Sequence, residues 1–102
     1  MRGYEGEKIW IDDMRPAPEG YRWCKTYKSA IATIMYFDSC EEGIDEIDFD
    51  HDLGEAKSGY DVAKFLVENH ISIGGFRCHS MNPVGKENIQ KLLIHYGYNL
   101  LN

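Results

Sequence analysis

Short apolar runs alternate along the chain with longer stretches in which apolar residues are spaced three and four positions apart. The short runs are rich in Ile, Phe and Trp and are bounded by polar residues or glycine, which is typical of β-strands. They cover residues 8–11, 21–27, 44–49 and 71–78. The longer stretches predict helices over residues 29–38, 60–69 and 82–96. Residues 98–101 predict a short terminal strand.

The order of these elements predicts the fold class. Strands that alternate with helices pair in parallel through right-handed crossovers, which gives an α/β, three-layer sandwich with a small, mainly parallel sheet of four or five strands. A length of 102 residues predicts one domain spanning residues 1–102. The connection after the first strand contains Pro16, Pro18 and Gly20, so it has no room for a full helix to cover one face.

Composition argues against several kinds of binding partner and several kinds of site. The net charge of −6 argues against nonspecific binding to duplex nucleic acid, which needs a surplus of Lys and Arg. The three cysteines are widely spaced and contain no Cys-x-x-Cys pair, so neither a disulfide framework nor a zinc-thiolate site is expected. A polar amino terminus and the absence of a long apolar run predict no signal peptide and no membrane partner, and the default compartment is cytoplasmic.

Three polar segments directly follow predicted strands. They are Asp12-Asp13-Met14-Arg15-Pro16, Asp50-His51-Asp52-Leu53-Gly54 and His79-Ser80-Met81-Asn82-Pro83. In open α/β sheets ligands bind beyond the carboxyl ends of the strands, so these segments are expected to meet at one edge of the sheet. A cluster this acidic needs a cation or shared protons.

The carboxylates are candidates for a metal site. Asp12, Asp13 and Asp50 offer the oxygen ligands that Mg²⁺ or Mn²⁺ prefers. A neighbouring histidine would also suit Zn²⁺. His51 or Asp52 would add a ligand or a catalytic base, although both also fit an exposed turn before a glycine.

The third segment is a candidate for phosphate binding and proton transfer. His79 could donate a proton to a leaving oxygen or bind metal. Ser80 and Asn82 could hold a phosphate at the start of the last helix, where Asn82 is also expected to act as the cap. Arg15 could offset the carboxylate charge or bind a phosphate with its planar guanidinium.

Taken together, these motifs resemble the cyclic-phosphate processing receiver domain family. That family has the patterns Asp-Asp-x-Arg-x-Pro, Asp-His-Asp-Leu-Gly, Gly-Tyr-Asp and His-Ser-x-Asn-Pro-x-Gly. In this chain the corresponding segments are 12–18, 50–54, 59–61 and 79–85. The resemblance implies a receiver-like (flavodoxin-like) fold, a metal at the acidic pocket and the handling of a cyclic phosphate. It also implies a small cyclic nucleotide or a 2′,3′-cyclic phosphate RNA end as the partner.

The chain also departs from phosphoacceptor receivers, which resemble it less closely. A receiver needs a lysine after a fifth strand, and the sequence shows none in that place before Asn102, whereas it adds two histidines to the motifs. We therefore predict metal-dependent hydrolysis of a cyclic phosphate, with His79, His51 and Asp52 as the catalytic candidates. The alternatives are a module that binds a cyclic nucleotide or phosphate without cleaving it, and a receiver phosphorylated on Asp50.

Overall fold

The computed structural model describes residues 6–101, and its centre is a parallel sheet of four strands in the order β2-β1-β3-β4. Residues 1–5 and 102 of the predicted domain lie outside the described part of the chain. The strands are β1 (Glu7–Ile11), β2 (Arg22–Cys24), β3 (Ile44–Phe49) and β4 (Ile73–Cys78). The helices are α1 (Tyr27–Asp38), α2 (Gly59–Glu68) and α3 (Pro83–His95).

The predicted receiver-like α/β class is confirmed, and local capping explains where each helix begins. Side chains of Thr26, Ser58 and Asn82 accept hydrogen bonds from backbone N–H groups in the first turns of α1, α2 and α3. The prediction that the second strand extends over 21–27 was wrong at its end. Since Thr26 caps α1, Tyr27 is already helical, and β2 keeps only three residues.

One face of the sheet is apolar and is covered by all three helices. Ile9, Ile47 and Phe76 occupy neighbouring positions on β1, β3 and β4, and each is fully buried. The same core cluster contains residues from each helix: Ala30, Ile34, Val62, Ala63, Leu66, Ile89 and Leu93. This face is the hydrophobic core of the domain.

The opposite face carries polar and aromatic side chains. Trp10, Asp48 and Arg77 are aligned across β1, β3 and β4, and alternation along a strand directs them away from the core. Within residues 6–101 the helices therefore form one layer on the apolar face, and no helix covers the other face. The third layer expected from the sequence is not formed by these residues. The reason is the β1–β2 connection, which forms turns and no helix. Trp10 and Trp23 are paired across β1 and β2 and lie on this second face, although their apolar rings favour a core position from the sequence alone.

The end of the described chain adds one bridge to the edge of the sheet. Leu100 pairs in parallel with Phe76, and the N–H of Leu101 donates to the carbonyl of Phe76 at 2.8 Å. The predicted terminal strand over 98–101 is thus reduced to a single bridge. Within residues 6–101 no helix has both the length and the apolar composition that crossing a membrane would require.

Candidate functional site

Three of the predicted site residues come together at the carboxyl edge of the sheet. Asp12 follows β1, Asp50 follows β3 and His79 follows β4. Each offers one ligand atom, and these atoms all lie within 4.8 Å of one another. Parallel strands bring their carboxyl ends to the same edge, so this convergence follows directly from the strand order. We call Asp12, Asp50 and His79 the acidic pocket.

Asp12 is the most deeply buried member of the acidic pocket, with 1% of its surface exposed. One carboxylate oxygen, Oδ1, accepts the backbone N–H groups of Met14 and Arg15 at 2.8 Å each. Burial alone would raise the pKa of Asp12, but these backbone bonds, together with His79 and Arg15, lower it. Asp12 is therefore held as a carboxylate by the turn that it begins.

The ring of His79 lies between two carboxylates. Its Nδ1 is 2.7 Å from Asp48 Oδ1 and its Nε2 is 2.9 Å from Asp12 Oδ2. Both bonds can form together only when each ring nitrogen carries a hydrogen, which describes the imidazolium. Burial alone would lower the pKa of His79, yet the hydrogen bonds to Asp48 and Asp12 raise it above the usual value. The two contacts therefore favour the charged form of the ring, in which both N–H groups donate.

An aromatic contact fixes the plane of the His79 ring. The indole of Trp10 stacks on the imidazole with 3.7 Å between ring centroids and 4° between planes. The Trp10 Nε1–H donates to the carbonyl of Arg15 at 2.9 Å. Trp10 therefore contacts both residues that bring positive charge to the acidic pocket.

The guanidinium of Arg15 spans the two aspartates. Arg15 Nε lies 2.8 Å from Asp12 Oδ2, and Nη2 lies 3.4 Å from Asp50 Oδ2. Its Nη1 lies 3.5 Å from the carbonyl oxygen of His79, at the limit of a hydrogen bond. The side chain is 44% exposed, whereas those of Asp12 and Asp50 are 1% and 10% exposed. Arg15 thus closes the pocket from the solvent side.

Asp13, the third predicted metal ligand, lies to one side of these atoms. A Cβ added to Gly54 would be 2.8 Å from Asp13 Oδ2, which places this carboxylate against the β3–α2 connection. Among the described residues the group able to hold a metal contains His79 in addition to Asp12 and Asp50, and Asp13 is not in it. Its role as a ligand stays a prediction.

The remaining predicted residues form a second cluster at the start of α3. Asn82 Oδ1 accepts the N–H of Gly85 at 3.0 Å, which confirms the predicted cap, and its Nδ2 donates to Asp52 Oδ2 at 3.3 Å. The Oγ of Ser80, a buried residue, accepts the N–H of Asn82 at 3.1 Å. The ring of His51 contacts Asp52 at 3.1 Å. The catalytic and phosphate-binding roles of these four residues stay predictions.

Two glycines allow the helices to approach the site closely. A Cβ on Gly59 would lie 1.9 Å from the carbonyl oxygen of Asp50, and a Cβ on Gly85 would lie 2.3 Å from the His51 ring. Both glycines belong to the motifs found in the sequence. Their role here is to seat the first turns of α2 and α3 against the segment that follows β3.

Asp48 and Trp10 are site residues that were not predicted from the sequence. Asp48 is buried and holds His79, and Trp10 stacks on it. Strand alternation could have revealed both: each stands two residues before a predicted metal ligand, Asp50 and Asp12, on the side of the strand away from the apolar core. The apolar character of tryptophan favoured a core position instead.

An open groove of about 380 Å³ includes His79 of the acidic pocket in its lining. Asp48 of β3 and Lys86 and Gln90 of α3 also line it. A phosphate held near His79 would therefore have room beside it for the organic part of an ester.

The donor set fits a divalent cation once Arg15 is displaced. Carboxylate oxygens of Asp12 and Asp50 suit Mg²⁺ or Mn²⁺, and a neutral His79 would add a nitrogen ligand that suits Mn²⁺ or Zn²⁺. Every buried side-chain oxygen and nitrogen of the described residues has a hydrogen-bond partner.

Comparison with known proteins identifies the family. A family model described as the cyclic-phosphate processing receiver domain matches residues 7–95. The chain belongs to this family. The match runs from the start of β1 to the end of α3, so all seven elements and all four motifs of the cyclic-phosphate processing receiver domain lie inside it. No curated protein and no solved structure gives a significant match.

Proposed function

We propose that this receiver domain hydrolyses a cyclic phosphate, such as a 2′,3′-cyclic phosphate RNA end or a cyclic nucleotide, with the help of a divalent cation. The observation that carries the proposal is the position of the His79 ring between Asp12 and Asp48, beside the carboxylates of Asp12 and Asp50 that could hold a metal. Proton donor, cation ligands and guanidinium are the groups that cleavage of a phosphate ester uses.

Each residue then has a distinct role. Asp12 and Asp50 would hold the cation, which supplies neutralisation of the phosphate charge and activation of water when bound. Arg15 binds the non-bridging phosphate oxygens through its planar fork. His79 gives its Nε2 proton to the leaving ester oxygen as the bond between that oxygen and phosphorus breaks. A new bond forms between phosphorus and the oxygen of water, and the proton of that water passes to the predicted base, His51 or Asp52. Asp48 and Trp10 keep the ring in position during that transfer.

The groove beside His79 supports an ester with a nucleoside attached. Its volume of about 380 Å³ lies within the range of small-molecule sites, and Lys86 on its wall would offset the negative charge of a nucleotide. The predicted partner, a small cyclic nucleotide or an RNA end, would place its cyclic phosphate at His79 and its base or sugar along α3.

The test is to incubate the purified protein with 2′,3′-cyclic nucleotides and cyclic dinucleotides in Mg²⁺, Mn²⁺ or Zn²⁺ and to separate the products by chromatography. We expect ring opening that EDTA abolishes. His79→Gln should lower the rate about 10²- to 10⁴-fold, the usual contribution of a positioned acid. His95→Gln is the matched control, because His95 lies exposed at the end of α3. Substrates left intact with all three metals would contradict hydrolysis.

A module that binds without cleaving is the second candidate, and one observation favours it. The buried carboxylates of Asp12 and Asp50 already have partners within the protein, because Arg15 contacts both of them and His79 contacts Asp12. Calorimetry that detects tight binding of a cyclic nucleotide, with the ligand recovered intact after hours, would select this function over hydrolysis.

A further inference from the structure

The position of the Arg15 guanidinium has a consequence for how the acidic pocket takes up its ligands. Arg15 reaches Asp12 Oδ2 at 2.8 Å and Asp50 Oδ2 at 3.4 Å. These two carboxylates belong to the group that could hold a metal. A guanidinium and a divalent cation that share the same two oxygens repel each other strongly at such distances. Metal and Arg15 therefore compete for one place.

We propose that Arg15 is the resident counter-cation of the pocket, and that a divalent cation and a phosphate anion enter as a pair. Phosphate draws the guanidinium away from Asp12 and Asp50, and the freed carboxylates then take the metal. The inference rests on the metal component of the proposed function. It adds that the protein binds free metal weakly and binds metal together with phosphate much more tightly.

The side chain of Arg15 can make this exchange at little structural cost. It is 44% exposed, so its guanidinium can move toward solvent without opening the core. The backbone N–H of Arg15 still donates to Asp12 Oδ1 at 2.8 Å after the side chain leaves, and so does that of Met14. The turn that holds Asp12 therefore stays formed while Oδ2, which His79 Nε2 also contacts at 2.9 Å, loses the guanidinium.

The charges around the pocket explain why the two ligands favour each other. The carboxylates of Asp12 and Asp50 are opposed by the guanidinium of Arg15, and the His79 ring contacts Asp12 and Asp48. Adding a divalent cation alone would leave Arg15 facing a second positive charge. Adding phosphate at the same time gives the guanidinium an anion that its planar fork matches, so the positive charges separate.

The experiment measures Mn²⁺ affinity directly, by calorimetry and by the electron paramagnetic resonance signal of free Mn²⁺, with and without inorganic phosphate at fixed pH. Without phosphate, Arg15→Gln should bind Mn²⁺ at least about tenfold more tightly than the wild type, because the competing charge is gone. Phosphate should tighten Mn²⁺ binding to the wild type and change the Arg15→Gln variant little.

Two further variants test whether the charge of Arg15, and not the shape of its side chain, sets the Mn²⁺ affinity. Arg22→Gln removes the same charge from an exposed ion pair with Glu7 on β1 and β2, and it should leave Mn²⁺ affinity unchanged. Arg15→Lys keeps the charge and should bind free Mn²⁺ as weakly as the wild type does. Circular dichroism confirms that each variant is folded before its affinity is compared.

The outcomes distinguish this inference from the proposed function. Equal Mn²⁺ affinity of wild type and Arg15→Gln would overturn competition by Arg15, while hydrolysis in the separate assay would still stand. Tighter binding by Arg15→Lys as well would show that charge is not the cause and would also overturn it. Absence of Mn²⁺ binding to either protein at millimolar concentration would overturn the inference together with the metal site.

Discussion

The two faces of the sheet differ at adjacent positions of the same strands. On β3, Ile47 and Phe49 point into a core formed with three helices and are fully buried, whereas Glu46 and Asp48 point to the other side. On β4, Phe76 faces the core and Arg77 pairs with Glu46 at 3.0 Å. One face is thus stabilised by apolar burial and the other by hydrogen bonds between charged groups.

This contrast between the two faces shows how the residues of the site are held in position. The polar face contains a line of contacts that leads to the acidic pocket. Tyr21 donates a hydrogen bond to Glu46, Glu46 pairs with Arg77, and Asp48 beside them holds His79. Burial and the bond to Glu46 raise the pKa of Tyr21 to about 12, so its hydroxyl stays a donor. The polar face supplies orientation, and the apolar face supplies stability.

We expect the largest loss of stability from a substitution on the apolar face. Phe76→Ala removes a fully buried ring from the centre of the core and should lower the free energy of unfolding by about 3–5 kcal/mol. Urea unfolding followed by circular dichroism measures it. Tyr36→Ala is the control, because Tyr36 is 63% exposed on α1. A loss below about 1 kcal/mol would mean that this face does not dominate stability.

We expect a smaller loss of stability from a substitution on the polar face. Asp48→Asn leaves the Nδ1–H of His79 opposite a neutral amide and should lower the free energy of unfolding by about 1–3 kcal/mol. Asp38→Asn makes the same substitution at an exposed residue at the end of α1 and should not destabilise. Equal losses in the two variants would remove the distinction between a structured polar face and an ordinary surface.

The pH dependence of stability should report on the same contacts, measured in EDTA. Since the pKa of His79 is raised in the folded protein, its contribution is fully present below its unfolded pKa and is lost as pH rises through the folded value. The stability of the wild type relative to His79→Gln should therefore fall on going from pH 6 to higher pH. When His79→Gln is compared with its parent in an Asp48→Asn background, little of that slope should remain. A slope of opposite sign in the wild-type comparison would rule out a charged ring.

We expect the smallest loss of stability from a substitution in the second cluster of predicted residues, at the start of α3. Asp52 is 68% exposed, and its contacts are with His51 and Asn82. Asp52→Asn should change the free energy of unfolding by less than about 1 kcal/mol, because exposed pairs are screened by water. In the hydrolysis assay the same variant tests its predicted role as a base, so a large rate loss without a stability loss would assign it to catalysis.

The fold was predictable from the sequence where local signals agree. Alternation in β3 placed its bounds at Ile44 and Phe49, and Asn82 with Pro83 placed the start of α3. The end of β2 was not predictable from apolar spacing, because the capping bond of Thr26 decides it. Val84 of α3 and Tyr96, the residue that caps its end, also have apolar spacing, yet they are 66% and 57% exposed. The buried residues of the helix are Gly85, Ile89 and Leu93.

The site was predictable as a set of strand-end residues, but their partners were not. Asp12, Asp50 and His79 were expected at one edge, and they meet there. The bonds that give them their chemistry join residues far apart in the chain: His79 contacts Asp12 at 67 positions' separation and Asp48 at 31. No local pattern specifies which carboxylate faces which ring nitrogen.

By itself, the sequence determined the family, the parallel α/β order and the three polar segments, because each of these depends on short-range patterns of residues. Only the tertiary structure decided that Arg15 lies between Asp12 and Asp50, that Trp10 stacks on His79, and that Asp52 remains exposed. The physical reason is that strand order and helix packing fix the distances between segments. Those distances determine which charges meet in the acidic pocket.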